Sequence, residues 1–203
     1  MTKFIQGIGV LLLALLVSVR AVGAASVDEM LAERALGDKA APVTIVEYSS
    51  LACPHCASFH SQTLPQIKEA YIDTGKARLV YRDYPLGTPA MAAALIARCV
   101  DPSRYFGFLD VLYRSQATWA GSANPLDDLR QMSRFAGLSD ADFDACLENK
   151  ALLQGIQGSA AQAQKEAAIN STPTIFVNGR KIVGAESFEA FKTVIDEELE
   201  KAR

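Results

Sequence analysis

Four consecutive residues, Cys53-Pro54-His55-Cys56, hold the most specific chemistry in the chain. Two thiols spaced this way can close a disulfide, open it and pass it to another protein. The nucleophile in such an exchange is the thiolate, and an ordinary thiol titrating near about 8.5 supplies little of it at neutral pH. The preceding run, Val43-Thr44-Ile45-Val46-Glu47-Tyr48-Ser49-Ser50-Leu51-Ala52, is β-branched and apolar, then small and polar. That pattern predicts a strand running into a helix N-terminus. Backbone N–H groups and the positive end of the helix dipole would then face the Cys53 sulfur, favouring its thiolate and making the pair a stronger oxidant. His55 can add a charge or a hydrogen bond to the same sulfur; the bland alternative is an exposed histidine at a helix start.

Competing uses of these residues fit poorly. A c-type haem site needs histidine directly after the second cysteine, and Ala57 stands there. Zinc held by Cys53, Cys56, His55 and His60 would crowd its ligands onto about two helical turns, which strains tetrahedral closure. No Gly-rich phosphate loop and no nucleophile elbow are present. The expectation is therefore an enzyme with no cofactor and no metal.

The start of the chain points to an oxidising compartment. Met1-Thr2-Lys3 is followed by an almost wholly apolar run from Phe4 to Val19, then Arg20 and the small residues Ala21-Val22-Gly23-Ala24-Ala25. This reads as a signal peptide over residues 1–25, cut at Ala24 or Ala25. An uncleaved membrane anchor is the alternative, because the apolar run is close to spanning length. Either way the body of the protein faces an oxidising compartment, where disulfides persist. The chain carries 20 basic and 23 acidic residues, and losing Lys3 and Arg20 with the leader moves its charge from −3 to −5. Mild acidity with no basic cluster argues against a nucleic-acid partner. The remaining roughly 178 residues suit a single domain over 26–203.

A coarse reading of elements gives strand, helix, strand, a long helical stretch, then a hairpin and a last helix. Val43–Ser49 is the first strand. A helix from Pro54 to about Asp73 follows, which Pro65 should kink or divide. Ala77–Tyr84 is the second strand. Residues from about 88 to 169 carry no strand signal and form an inserted helical block. Its predicted helices cover Pro89–Val100, Ser103–Gln116, Leu126–Phe135, a segment with Ser139 as N-cap, and Ala151–Ala168. Thr174–Val177 and Lys181–Val183 are joined through Asn178-Gly179, a strong hairpin signal. An amphipathic helix over Ser187–Lys201 closes the chain.

A βαβ unit followed by ββα is the thioredoxin-like arrangement, here an α/β fold with an all-helical block between the halves. Together with Cys53-Pro54-His55-Cys56 and Thr172-Pro173-Thr174-Ile175-Phe176-Val177-Asn178-Gly179, it resembles the DsbA-like family of bacterial periplasmic thiol–disulfide oxidoreductases. The resemblance spans residues from about 40 to 199. It implies that Cys53 is exposed and forms the mixed disulfide, while Cys56 is buried and resolves it. It also implies that Glu47, six residues before Cys53, is a buried proton acceptor for Cys56; a carboxylate on the solvent face of the strand is the alternative. Thr172-Pro173 matches the cis-proline loop that faces the cysteines and pairs with substrate backbone. Strong oxidants of the family have valine before that proline and isomerase relatives have threonine, so Thr172 leaves the redox potential open.

Cys99 and Cys146 lie 47 residues apart on predicted helices of the insertion. In an oxidising compartment they are expected to form a structural disulfide, with two buried thiols as the alternative. The favoured function is a monomeric dithiol oxidase. It would donate its disulfide to unfolded or newly exported proteins and be reoxidised by a quinone-linked membrane partner of the DsbB type. An isomerase or reductase kept reduced, and a chaperone or binding module with a merely structural disulfide, are the alternatives.

Overall fold

The computed structural model describes residues 25–202; the expected leader therefore lies outside the described residues, apart from its last position. Five strands form one mixed sheet in the order β1-β3-β2-β4-β5. They are β1 (Arg34–Leu36), β2 (Val43–Ser49), β3 (Ala77–Asp83), β4 (Thr174–Val177) and β5 (Arg180–Val183). The central strand β2 runs parallel to β3 and antiparallel to β4. A parallel neighbour demands a crossover, and the helical run beginning at Pro54 supplies it.

Alternation along β2 decides what its two faces do. Val43, Ile45, Glu47 and Ser49 are buried, and Thr44, Val46 and Tyr48 are half-buried. The buried apolar residues meet Phe59, Leu64 and Ile67 of the crossover, and Phe191 and Ile195 of the last helix, α10 (Phe188–Lys201). Each such fully buried side chain contributes at most about 1.5–3 kcal/mol, because a compact unfolded chain already hides part of that area. Glu47 and Ser49 break this apolar run and point two polar groups into the interior.

The crossover is not divided at Pro65. It comprises α2 (Pro54–Ser58), a π turn (Phe59–Thr63), α3 (Leu64–Ile67) and a second π turn (Lys68–Ile72), with no break at the proline. The Leu64 N–H reaches back to Phe59 O, five residues away. That wider turn just before Pro65 accommodates a residue with no N–H and a bulky ring.

Helices fill the space between β3 and β4: α4 (Thr88–Cys99), α5 (Tyr105–Arg114), α6 (Gln116–Trp119), α7 (Pro125–Phe135), α8 (Asp140–Leu147) and α9 (Lys150–Ala167). They enclose a second core containing Trp119, Tyr105, Leu109 and Phe143, and this core reaches Cys53 and Cys56. The helix expected over Ser103–Gln116 is in three pieces. Asp101 caps a short 3-10 turn at Pro102–Arg104, and Ser115, outside helical geometry, separates α5 from α6. Ser139 caps α8 through the Asp142 N–H. Asn178 and Gly179 both take positive φ, as a tight hairpin requires.

Two short elements escaped the sequence reading, α1 (Val27–Leu31) and β1. Neither is long enough to show a period. Buried Arg98 of α4 secures this segment by pairing with Asp83 at 2.7 Å and donating to Ala32 O at 2.8 Å.

Candidate active site

Cys53 is the N-cap of α2, with extended backbone, and Pro54 occupies the first helical turn, where its missing N–H costs nothing. The Cys53 N–H donates to Ser50 O at 3.0 Å. The approach to the helix is fixed from the insertion. Buried Gln116 donates through Nε2 to Leu51 O at 2.6 Å and to Cys53 O at 3.0 Å. Nothing in the sequence singled out Gln116, because its partners lie more than sixty residues away in the chain.

The two sulfurs are held in opposite protonation states. A hydrogen bond from the Cys56 thiol, supported by the Thr172 side chain and the backbone N–H groups of Cys56 and His55, lowers the Cys53 pKa from 9.0 to about 5 against the opposing effect of burial. Burial pushes the Cys56 thiol far up, and its bond to Cys53 adds to that; the Ser49 hydroxyl and Ser50 backbone pull the other way. Cys53 is 9 % exposed and Cys56 fully covered. Cys53 is thus the more accessible sulfur, yet far more covered than the expected exposed nucleophile, because the loop carrying Thr172 packs over it. The protonated Cys53 thiol donates to Thr172 O at 3.3 Å. The Thr172 hydroxyl is buried with no hydrogen-bond partner among the described residues, leaving it free to donate to the thiolate once that forms. Thr172-Pro173 is a cis peptide bond.

His55 stands in the first turn of α2, beside Cys53. Its side chain is exposed, and its backbone amide is what supports the Cys53 thiolate. The buried histidine is His60, whose Nε2 lies 2.9 Å from Glu47 Oε1 and 3.2 Å from Oε2. Glu47 is fully buried. The His60 ring stacks on Tyr113 of α5 at 4.0 Å between centroids. Tyr113 in turn donates to Ser49 Oγ at 2.9 Å, and its hydroxyl lies 2.8 Å from that of Tyr81. His60, Ser49, Tyr81 and Tyr113 were not among the expected site residues. A signal for two of them existed: His60 follows Cys56 by four residues, one helical turn, and Ser49 follows Glu47 by two, on the same face of β2.

Cys99 and Cys146 are joined in a disulfide between α4 and α8, with Cα atoms 6.3 Å apart. It lies within the helical insertion, apart from the Cys53–Cys56 pair.

Comparisons with known proteins follow the same lines. A family model described as Thioredoxin matches residues 29–197. A protein of Rickettsia conorii named as a protein-disulfide oxidoreductase is 31% identical over 169 residues, covering 83% of this chain and 61% of the relative, so this chain spans less than two thirds of that protein's length. The crystal structure of alpha-DsbA1 from Wolbachia pipientis matches with a TM-score of 0.79 at 31% identity, covering 84% of this chain and 92% of the other. Oxidised BdbD from Bacillus subtilis matches with a TM-score of 0.76 at 25% identity, covering 83% and 93%.

Proposed function

The chain belongs to the DsbA-like branch of the thioredoxin superfamily, and from that premise we propose that it is a protein thiol–disulfide oxidoreductase donating its Cys53–Cys56 disulfide to exported proteins. The observation that carries this reading is the asymmetry of the pair, with Cys53 lowered to about 5 and Cys56 raised. A stabilised Cys53 thiolate stabilises the reduced form, and a pair whose reduced form is stable is a strong oxidant.

In the proposed reaction a substrate thiolate attacks Cys53 Sγ. The Cys53–Cys56 bond breaks, the Cys53–substrate bond forms, and Cys56 departs as a thiolate that takes up a proton. Glu47, buried and in contact with His60, is the group that exchanges that proton. A second substrate thiolate then attacks the substrate sulfur of the mixed disulfide, and Cys53 leaves with the bonding electrons. The substrate has lost two electrons and two protons; one proton resides on Cys56 and the other is released, because Cys53 remains a thiolate at neutral pH. Backbone groups of the Thr172-Pro173 loop, beside the Cys53 sulfur, hold the substrate segment as an added strand.

The remaining parts of the proposal follow from this chemistry. The protein is a monomer with one thioredoxin-like domain over residues 26–203, placed in the periplasm by a leader at residues 1–25. A quinone-linked membrane oxidase of the DsbB type restores its disulfide, and neither metal nor cofactor takes part. The disulfide of Cys99 and Cys146 is structural. Thr172, the residue found in isomerase relatives, is what favours a second reading as an isomerase or reductase kept reduced.

The test is the reduction potential of the Cys53–Cys56 pair, equilibrated against glutathione buffers. A value above about −180 mV supports disulfide donation, and one toward about −270 mV replaces it with the reductase reading. A Cys53 that resists alkylation in the reduced protein at neutral pH would leave only a binding module.

A further inference from the structure

The exchange proposed above makes one demand that the Cys53 environment does not meet: Cys56 must carry charge as it leaves or attacks, in a site that excludes water. Cys56 has no exposure, and Ser49, Tyr81 and Tyr113 around it are 1 %, 0 % and 4 % exposed. A hydroxyl has one proton to give. Tyr113 gives its proton to Ser49 Oγ at 2.9 Å, so the 2.8 Å contact between the two tyrosines is donated by Tyr81. Ser49, having accepted from Tyr113, keeps its own proton, and its hydroxyl favours the charged form of Cys56 against the burial that disfavours it. Both tyrosine donors therefore point the same way, from β3 through α5 to β2.

We propose that Ser49 is a positioning residue for the exchange reaction, the last member of a three-hydroxyl relay, Tyr81 to Tyr113 to Ser49, that stabilises Cys56 while it bears negative charge. Burial keeps both tyrosines protonated, with pKa values well above the ordinary phenol range, so they act as fixed donors. In a low-dielectric interior each donor polarises the next, strengthening the bond that ends on sulfur. The other titratable groups facing this cluster do different work. Cys53 is the bonding partner, and Glu47 and His60 are engaged directly with each other while the His60 ring stacks on that of Tyr113. The Tyr105 ring meets that of Tyr81 edge-on, and the Asp83 charge helps to keep Tyr81 protonated. Atoms and electrons balance as in the exchange step itself: the Cys53–Cys56 bond breaks or forms, and the relay hydroxyls retain their protons.

The inference rests on thiol exchange at Cys53–Cys56, but not on its physiological direction, so the test uses the reduction of the oxidised protein by dithiothreitol. In that reaction Cys56 is the leaving thiolate whichever way electrons flow in the cell. Ser49→Ala should slow it roughly three- to tenfold, the effect of one charge-assisted hydrogen bond partly expressed in the transition state. Ser49→Thr, which keeps the hydroxyl, should return most of the rate, and Tyr113→Phe, which leaves Ser49 without its donor, should fall between. The equilibrium potential should stay at the wild-type value in all three, because Cys56 is protonated in the reduced protein at neutral pH. Ser49→Ala reacting within about twofold of wild type overturns the relay. So does a Ser49→Thr variant as slow as Ser49→Ala, or a potential that shifts in step with the rate, since either marks a packing effect. A low wild-type potential with normal relay kinetics would instead remove the oxidase reading and leave the relay standing.

Discussion

Lowering the pH should remove from the reduced protein a stability advantage that the oxidised protein never has. Folded Cys53 titrates at about 5, and an unfolded cysteine at about 8.5. Because the folded value is the lower one, the thiolate's contribution is complete only above the unfolded pKa and disappears as pH falls through the folded one. At pH 7 the folded thiol is ionised by about two pH units while the unfolded one is still protonated. At about 1.36 kcal/mol per unit this amounts to about 2.7 kcal/mol. Cys53 is largely covered, but solvent lies close enough to screen part of the interaction, and halving the figure gives about 1.4 kcal/mol. For a chain of this size that corresponds to roughly 3–6 °C in melting temperature.

Other contributions drop out of the comparison. Cys56, with its raised pKa, is protonated both folded and unfolded below neutrality. The ion pair of Asp83 and Arg98 involves neither cysteine and should contribute equally to the reduced and oxidised proteins. Loop closure by the Cys53–Cys56 disulfide stabilises the oxidised form by an amount independent of pH. The assay is urea unfolding of the pre-reduced and oxidised proteins at pH 4 and pH 7, with thiolate ultraviolet absorbance followed in parallel. The difference in stability between the two forms should shift by about 1.4 kcal/mol in favour of the reduced one on going from pH 4 to pH 7. A difference that stays constant across that range, or a Cys53 that titrates above pH 7, refutes the reasoning.

Three further outcomes are expected. Replacing Cys99 and Cys146 together by serine should lower the melting temperature, since a loop of 47 residues is constrained by about 4 kcal/mol at most; an unaltered melting curve counts against a structural role. Gln116→Ala should cost roughly 2–4 kcal/mol by urea unfolding, because the carbonyls of Leu51 and Cys53 lose their shared donor and a cavity opens; a loss below about 0.5 kcal/mol would mean that water replaces the side chain without penalty. Glu47→Gln should slow the release of the mixed disulfide while leaving the first attack by substrate nearly intact, as read by quenched-flow trapping; unchanged turnover removes Glu47 from proton exchange.

The elements that proved readable are those whose signal is local. The alternation of β2, the Ser139 cap, the Asn178-Gly179 turn and the cysteine spacing each depend on residues within a few positions of one another. What stayed hidden depends on burial and on contacts between distant segments. His60 and His55 are chemically identical in the sequence, yet one turn of helix places the first against Glu47 and leaves the second in solvent. Pro65 suggested a break because a proline removes a helical hydrogen bond, but the helical run continues through it with a π turn just before, and no local rule says where such a widened turn will fall.

The helical insertion belongs to this second class, and its placement changes how the site is understood. Read along the chain, it separates the two thioredoxin-like halves. In the structure its residues Tyr113 and Gln116, from opposite ends of one short stretch, reach the last residue of β2 and the turn that leads into α2. Gln116 satisfies carbonyls that the strand-to-helix turn leaves without partners, which a buried turn cannot do for itself. Tyr113 closes the far side, seating the His60 ring and bonding Ser49. The cysteines are therefore held by the sheet on one side and the insertion on the other, so substitutions at the α5–α6 junction should alter exchange rates through the carbonyls and the hydroxyl that Gln116 and Tyr113 hold.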